Sequence, residues 1–140
     1  YAHTHDALEK TLKSIKIEYP NNKIITVFGC GGDRDIKKRA KMGKVGVRYS
    51  DKVYLTNDNP RTEDPKKIIN DIVDGTKNSK KIKIILNREE AIKKAIVTAD
   101  KKDVILIAGK GHENYQEING VREAYSDHKV VSKILKDETL

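Results

Sequence analysis

The feature of this chain that most constrains its fold is a regular exchange between two hydrophobic periods. Short β-branched runs that end near a Gly or an Asn are typical of strands, and they lie at residues 24–28, 53–56, 82–86 and 104–108. The stretches between these runs carry apolar residues at helical spacing. A strand that alternates with a helix four times predicts an α/β domain, with a mainly parallel, Rossmann-like sheet and helices on both of its faces.

Capping residues indicate where three of the helices begin. Thr4 is suited to cap the first helix, and Asp64 followed by Pro65 is suited to open the helix after the second strand. Asn87 begins another helix, with Glu90 three residues later as its partner in a capping box. Apolar residues repeat at helical spacing after each of these starts, so the caps and the periodicity predict the same helices.

The pattern changes after the fourth predicted strand. Asn119-Gly120 separates two short runs, at residues 115–118 and 121–125, and this dipeptide is the strongest short signal for a hairpin. We therefore expect a C-terminal hairpin strand, followed by a last helix from about Asp127. The 140 residues contain no linker, internal repeat or low-complexity segment, so we expect one domain over residues 1–140.

The net charge of +8 raises the hypothesis of a nucleic-acid partner, because a basic face attracts phosphates. The lysines, however, are scattered in pairs along the polar segments and do not form one stripe. Trp is absent and Phe28 is the single Phe, so the aromatic platforms on which bases stack are lacking. No apolar run approaches membrane-spanning length. The sequence therefore favours neither a nucleic-acid partner nor a membrane partner.

Cys30 is the single cysteine, which excludes an internal disulfide, and the four histidines show no metal-ligand spacing with it. We therefore expect no metal site in this chain and a cytoplasmic setting. The start, Tyr1-Ala2-His3-Thr4, has no initiator Met and none of the features of a signal peptide. The chain is accordingly expected to be a segment of a longer polypeptide.

Three polar loops follow strands of the predicted sheet, at residues 29–35, 57–61 and 109–113. Because ligands of open parallel sheets bind at the carboxyl ends of the strands, we expect these loops to lie at one edge and to form one site. The second loop offers the guanidinium of Arg61, and the third offers the Glu113 carboxylate and two glycines. These groups complement a free amino acid, which carries both an acid and an ammonium.

Each loop taken alone also has an ordinary explanation. Asp58-Asn59-Pro60 is typical of a simple turn, and Gly109-Lys110-Gly111 is compatible with another. The first loop, Gly29 to Arg34, contains neither the G-x-G-x-x-G spacing nor the G-K-[ST] ending of a phosphate loop, so it is not a nucleotide-binding fingerprint. The evidence for a site is therefore the combination of the three loops.

In this order and on these strand ends, the loops resemble those of the C-terminal domain of the Mur ligases, and among them the ligases that add diaminopimelate. The resemblance covers essentially the whole chain. The matching segments are Tyr1 to Thr4, Phe28 to Asp35, Lys38-Arg39, Met42-Gly43, Asp58 to Glu63, Ala108 to Glu113, Tyr115-Gln116 and Tyr125-Ser126-Asp127.

The resemblance implies an ATP-dependent amide-forming step in peptidoglycan synthesis. In such ligases ATP phosphorylates the D-glutamyl carboxylate of a UDP-N-acetylmuramoyl dipeptide, and the amine of meso-diaminopimelate attacks the acyl phosphate and expels phosphate. ATP and Mg²⁺ are held mostly by a central domain, which is expected, with an N-terminal domain, outside this chain. The chain itself would supply the amino-acid pocket, would contain no catalytic residue and no metal ligand, and would be inactive in isolation.

The resemblance also assigns roles to individual residues. Seven would bind or shape the pocket for diaminopimelate, namely Arg34, Asp58, Asn59, Pro60, Arg61, Gly109 and Glu113. Two more would lie near the adenosine side of ATP, namely His3 and Asp35. The chemistry agrees with the main roles, because the Arg61 guanidinium can bind a carboxylate through two parallel hydrogen bonds, while Glu113 and the Gly109 carbonyl suit an ammonium.

The sequence departs from the family's usual pattern at three positions, and it leaves an alternative function open. Pro is usual where His5 and Ala40 stand, and Arg is common where His128 stands. His5 is expected at the first helical position and Ala40 in a stretch where a lost Pro changes loop entropy, whereas the effect of His128 is open. The alternative is a stand-alone amino-acid-binding or interaction module without catalysis.

Overall fold

A computed structural model of the chain describes residues 4–33, 35–109, 115–118, 121–124 and 127–138, with only the backbone path given for 115–118, 121–124 and 137–138. The elements follow one another as α1 (His5–Glu18), β1 (Ile24–Phe28), α2 (Lys37–Tyr49), β2 (Lys52–Leu55), α3 (Pro65–Asp74), β3 (Ile82–Ile84), α4 (Arg88–Thr98), β4 (Val104–Ile107), β5 (Tyr115–Ile118), β6 (Val121–Ala124) and α5 (Asp127–Glu138).

The main sheet has the strand order β3-β2-β1-β4, and every neighbouring pair in it is parallel. The central strand β1 aligns Phe28 with Leu55 of β2 and Val27 with Ile107 of β4. This register places the carboxyl ends of β2, β1 and β4 side by side at one edge. The predicted parallel α/β architecture is confirmed, and the strand order puts the ends of the three strands that precede the polar loops next to one another.

Helices cover both faces of this sheet, as the sequence predicts. All five residues of β1 are buried, which is typical of a parallel strand with a helical layer on each side. Successive side chains of a strand point to opposite faces. Ile24 and Phe28 accordingly join the core beneath α1, α2 and α3, whereas Ile25 and Val27 join the core beneath α4 and α5.

The predicted caps are confirmed. The Thr4 hydroxyl accepts a hydrogen bond from the Ala7 amide at 3.1 Å, and the Asn87 side chain accepts one from the Glu90 amide at 2.9 Å. Asp64 accepts from the Lys66 amide at 3.0 Å. Each cap satisfies an amide that the first helical turn leaves without a partner, so each helix begins where the sequence indicates.

The C-terminal elements also agree with the prediction. Strands β5 and β6 pair in antiparallel fashion, with Ile118 opposite Val121, and form a two-stranded sheet of their own. Helix α5 begins at Asp127, as expected. None of the helices in the described part of the chain has the length and apolarity that crossing a bilayer requires.

The expectation that Ala40 lies in a loop is wrong, because Ala40 is in the first turns of α2. Charged residues and glycines weaken the apolar spacing of this helix, but its small residues let it approach α3 closely. A Cβ atom on Gly75, which follows α3, would lie 1.8 Å from the Ala40 carbonyl oxygen. A Cβ atom on Gly43 would lie 2.1 Å from the Ile72 carbonyl oxygen. Close backbone packing against α3 therefore stabilises α2, although the apolar residues of α2 do not follow a clear helical spacing.

Candidate functional site

The candidate site lies at the edge where β2, β1 and β4 end, and we call it the rim, defined as residues 29–33, 57–63 and 109. The three segments are in close approach. A Cβ atom on Gly29 would lie 2.0 Å from the Thr56 carbonyl oxygen. A Cβ atom on Gly109 would lie 3.8 Å from Asp58 Oδ2 and 3.9 Å from the Gly29 carbonyl oxygen. The described residues of the three loops, of which the third contributes Gly109, therefore lie close together, in agreement with the expectation from the sequence.

The turn after β2 is buried against the loop after β1. Asp58 is 6% exposed and Asn59 is 3% exposed. The Gly32 amide donates to the Asn59 carbonyl oxygen at 2.7 Å, and a Cβ atom on Gly32 would lie 1.8 Å from the Pro60 carbonyl oxygen. An ordinary surface turn exposes its polar side chains to water. The burial of this turn therefore favours a built site over that explanation.

Arg61 ends this turn in a backbone conformation that is rare for its type. Its φ is 53°, in the left-handed region, which costs a residue with a side chain about 1 to 2 kcal/mol. The half-buried side chain donates from Nη1 to the carbonyl oxygens of Gly32 at 3.1 Å and Asn59 at 3.3 Å. These contacts hold the guanidinium where the loops after β1 and β2 meet.

A buried arginine, Arg39, also ties the two loops together. Arg39 on α2 is 1% exposed and donates to both carboxylate oxygens of Glu63, at 3.0 and 2.7 Å. It donates further to Asp71 at 2.9 Å and to the Gly31 carbonyl oxygen at 3.1 Å. Glu63 in turn accepts from the Asp33 amide at 2.7 Å. Arg39 and Glu63 thus link α2, α3 and both loops.

The electrostatics of this cluster keep Glu63 charged. The hydrogen bonds from Arg39, and then the one from the Asp33 amide, lower the pKa of Glu63 to about 2, against a smaller opposing effect of burial. The hydrogen bond to Glu63 also raises the pKa of the Arg39 guanidinium. Sequence reasoning gave Arg39 no role, and the available signal was an Arg in line with Met42, Gly43 and Gly46 on the buried side of α2.

The lowered pKa of Glu63 leads to a prediction about stability and pH. A carboxylate whose pKa falls on folding, here from 4.5 to about 2, stabilises the fold at pH values above 4.5 and loses this contribution as the pH falls towards 2. We expect Glu63→Gln to be less stable than the wild type at neutral pH, and the gap to close across this window. Urea unfolding of both proteins from pH 7 to pH 2 measures how the free energy of unfolding changes across this window. Parallel pH profiles for the two proteins would contradict the role of Glu63.

Cys30 lies on the rim, where its surroundings disfavour the reactive form of its thiol. Burial, and then the charge of Asp58, raise the pKa of the thiol to about 12, and Arg39 lowers it by less. The thiolate is the reactive form of cysteine, and at neutral pH almost none is present here. Within the described ranges, no group of three His, Cys, Asp or Glu side chains is arranged to hold a metal ion.

The remaining predicted site residues have different outcomes. Gly109 is buried at the rim with a φ of 109°, a conformation that favours glycine. Asp35 is exposed and accepts from the Lys37 amide at 3.0 Å, at the start of α2. The predictions for His3, Arg34 and Glu113 fall outside the residues that the structure describes.

Comparison with known proteins shows which proteins this chain is similar to. The family model described as "Mur ligase, glutamate ligase domain" matches residues 1–111. The chain is 52% identical over 135 residues to the UDP-N-acetylmuramoyl-L-alanyl-D-glutamate--2,6-diaminopimelate ligase of Buchnera aphidicola subsp. Baizongia pistaciae, covering 96% of this chain and 27% of that protein. It is 51% identical over 135 residues to the ligase of the same name from Aquifex aeolicus, covering 96% of this chain and 28% of that protein.

Solved structures give the same picture. The structure of a UDP-N-acetylmuramoyl-L-alanyl-D-glutamate--2,6-diaminopimelate ligase superimposes with a TM-score of 0.94 and 45% identity, covering 100% of this chain and 29% of that one. The UDP-N-acetylmuramate-alanine ligase of Thermotoga maritima, at 18% identity and a TM-score of 0.61, shares the fold alone. The chain spans little more than a quarter of the length of the curated relatives that it matches.

Proposed function

Because this chain belongs to the Mur ligase family, through its glutamate ligase domain, we propose that it is the amino-acid-binding domain of an ATP-dependent ligase. The proposed ligase adds meso-diaminopimelate to UDP-N-acetylmuramoyl-L-alanyl-D-glutamate in peptidoglycan synthesis. The observation that carries this proposal is a sequence identity of about 50% over nearly the whole chain to ligases of that name. The proximity of Gly29, Asp58 and Gly109 supports one place on the molecule where the proposed ligand would bind.

The proposed ligand has two amino-acid ends, and the rim is suited to hold the end that does not react. The guanidinium of Arg61 would bind the distal carboxylate, because a charged carboxylate is a stronger acceptor than the neutral carbonyls that orient Arg61. The Gly109 carbonyl and Glu113 would bind the distal ammonium, and Arg34 would add a further cation. Asp58, Asn59 and Pro60 would hold the loop that presents Arg61.

The described residues do not fit a site for Mg²⁺, since they include no cluster of three His, Cys, Asp or Glu side chains arranged for a metal. The loop after β1 also lacks the spacing of a phosphate loop. We therefore place Mg²⁺ and most contacts to ATP in the rest of the polypeptide. His3 and Asp35 are proposed to lie near the adenosine side of ATP. The part of this chain is to bind and orient the incoming amino acid.

Phosphate release by the full-length protein tests the proposal. With ATP, Mg²⁺ and the UDP-N-acetylmuramoyl dipeptide present, we expect phosphate release to depend on added meso-diaminopimelate and to respond weakly to L-lysine. Equal rates with the two amino acids would contradict the proposed specificity. Binding of meso-diaminopimelate without phosphate release would instead favour the alternative of a binding module without catalysis.

A further inference from the structure

A buried arginine outside the proposed pocket connects two of its loops. Arg88, the first residue of α4, is 1% exposed. Its Nε and Nη2 atoms donate to the two carboxylate oxygens of Asp127, the first residue of α5, each at 2.8 Å. Removing two charges from water is costly, and a bidentate pair offsets that cost only in part. Stability alone therefore does not account for a guanidinium in this place.

The same guanidinium binds the backbone on both sides of the rim. Nη1 donates to the Asn57 carbonyl oxygen at 3.2 Å, and Nη2 donates to the Ala108 carbonyl oxygen at 3.0 Å. Asn57 directly precedes Asp58, and Ala108 directly precedes Gly109. Strands β2 and β4 lie on opposite sides of β1, so sheet hydrogen bonds do not join them to each other. Arg88 spans this gap with one rigid group.

We propose that Arg88 is a positioning residue for amino-acid binding, which sets the separation between the loop carrying Arg61 and Gly109. This inference rests on the proposed function, in which Arg61 binds the carboxylate and the Gly109 carbonyl binds the ammonium of one ligand end. The planar guanidinium fixes both carbonyls and the Asp127 carboxylate at once. A lysine ammonium is a single point donor on a flexible stem and does not fix the three acceptors in one plane.

The test uses the full-length protein and the variant Arg88→Lys. We expect the KM for meso-diaminopimelate to rise about 10-fold to 100-fold, because a small misplacement of binding groups is expensive, while the KM for ATP stays unchanged. Leu12→Ala is the control for stability, since Leu12 is fully buried in the core on the other face of the sheet. We expect Leu12→Ala to unfold at a lower temperature than the wild type with no change in either KM.

A double variant separates positioning from stability. Arg88→Met with Asp127→Leu removes both buried charges, and replacing a buried ion pair by apolar residues of similar size is often neutral or stabilising. This variant decides the question if Arg88→Lys does not fold. Because this variant also leaves the Asn57 and Ala108 carbonyl oxygens without the Arg88 donor, we expect a fall in its unfolding temperature no larger than that of Leu12→Ala, together with a raised KM for meso-diaminopimelate. A wild-type KM in the folded double variant would overturn the positioning role.

The outcomes also distinguish this inference from the proposed function. A wild-type protein whose phosphate release ignores meso-diaminopimelate would overturn the proposed function, and the positioning role with it. A wild type that depends on meso-diaminopimelate, with a raised KM in Arg61→Ala and unchanged KM values in both Arg88 variants, would overturn the positioning role alone.

Discussion

In the full-length protein, Arg61→Ala is expected to weaken binding of meso-diaminopimelate by about 10²-fold to 10⁴-fold, because a site built for a polar group strongly penalises its loss. The affinity for L-lysine is expected to stay the same or to rise, because removing the guanidinium also removes the cost of leaving it without an acceptor. L-Lysine lacks the distal carboxylate, so in the wild type it leaves a desolvated guanidinium without its charged acceptor. Removing that guanidinium takes away an interaction that only meso-diaminopimelate makes.

Calorimetry with both amino acids measures this difference, and Arg61→Lys is the matched control. At a φ of 53° arginine, lysine and alanine all pay for a left-handed backbone, so the backbone cost largely cancels among the three proteins. Lysine keeps the charge but not the two parallel donors, and we expect an intermediate affinity for meso-diaminopimelate. A parallel loss for both ligands would show that Arg61 acts only by holding the carbonyls of Gly32 and Asn59.

Local signals in the sequence predicted most elements of the fold. The helix starts at Thr4, Asp64 and Asn87 were predictable because a cap and the amide it binds lie within three residues of each other. Strand β3 is shorter than predicted and ends at Ile84 instead of residue 86. Among the described strands it lies at the edge of the sheet and pairs with β2, and both Lys83 and Ile84 are exposed. Apolar composition alone therefore overestimated the length of this edge strand.

The groups that organise the rim were beyond sequence reasoning because their partners are distant in the chain. Arg39 and Glu63 are 24 positions apart, and Arg88 and Asp127 are 39 positions apart. The alignment of Arg39 with Met42, Gly43 and Gly46 is a local sign of burial, but no local pattern identifies the partner of either arginine. The convergence of the loops was predictable, because it requires only that strands be parallel and share an edge. The individual roles of Arg34, Asp58, Asn59, Pro60, Arg61, Gly109 and Glu113 stay predictions.

Two buried arginines that do not belong to the proposed pocket each join two of the rim loops. Arg39 and Glu63 join the loop after β1 to the loop after β2, and Arg88 joins the loop after β2 to the loop after β4. A binding site gains selectivity when its contacting residues are held in place by a supporting layer of hydrogen bonds. Under the proposed function, the two buried arginines form that layer.

The second large effect is expected for Gly32→Ala, because Gly32 lies where the loop after β1 contacts the loop after β2. The new Cβ atom would lie 1.8 Å from the Pro60 carbonyl oxygen and 2.5 Å from its carbon, and backbone atoms cannot rotate away. The loops must separate, which strains the bonds of Gly32 to the Asn59 carbonyl and the Arg61 guanidinium. We expect a destabilisation of about 1 to 3 kcal/mol, as for other overpacked sites.

Displacement of Arg61 in Gly32→Ala should also lower the affinity for meso-diaminopimelate about 10²-fold, because binding groups tolerate little misplacement. Leu12→Ala is the control for lost stability, since Leu12 is fully buried in the core and is not part of the rim. Urea unfolding and calorimetry on both variants separate the two effects. We expect both to lose stability and only Gly32→Ala to lose affinity. If the two variants bound the ligand equally well, the contact between Gly32 and the loop after β2 would not be needed to hold Arg61 for the ligand. That contact would then stabilise the fold without contributing to binding.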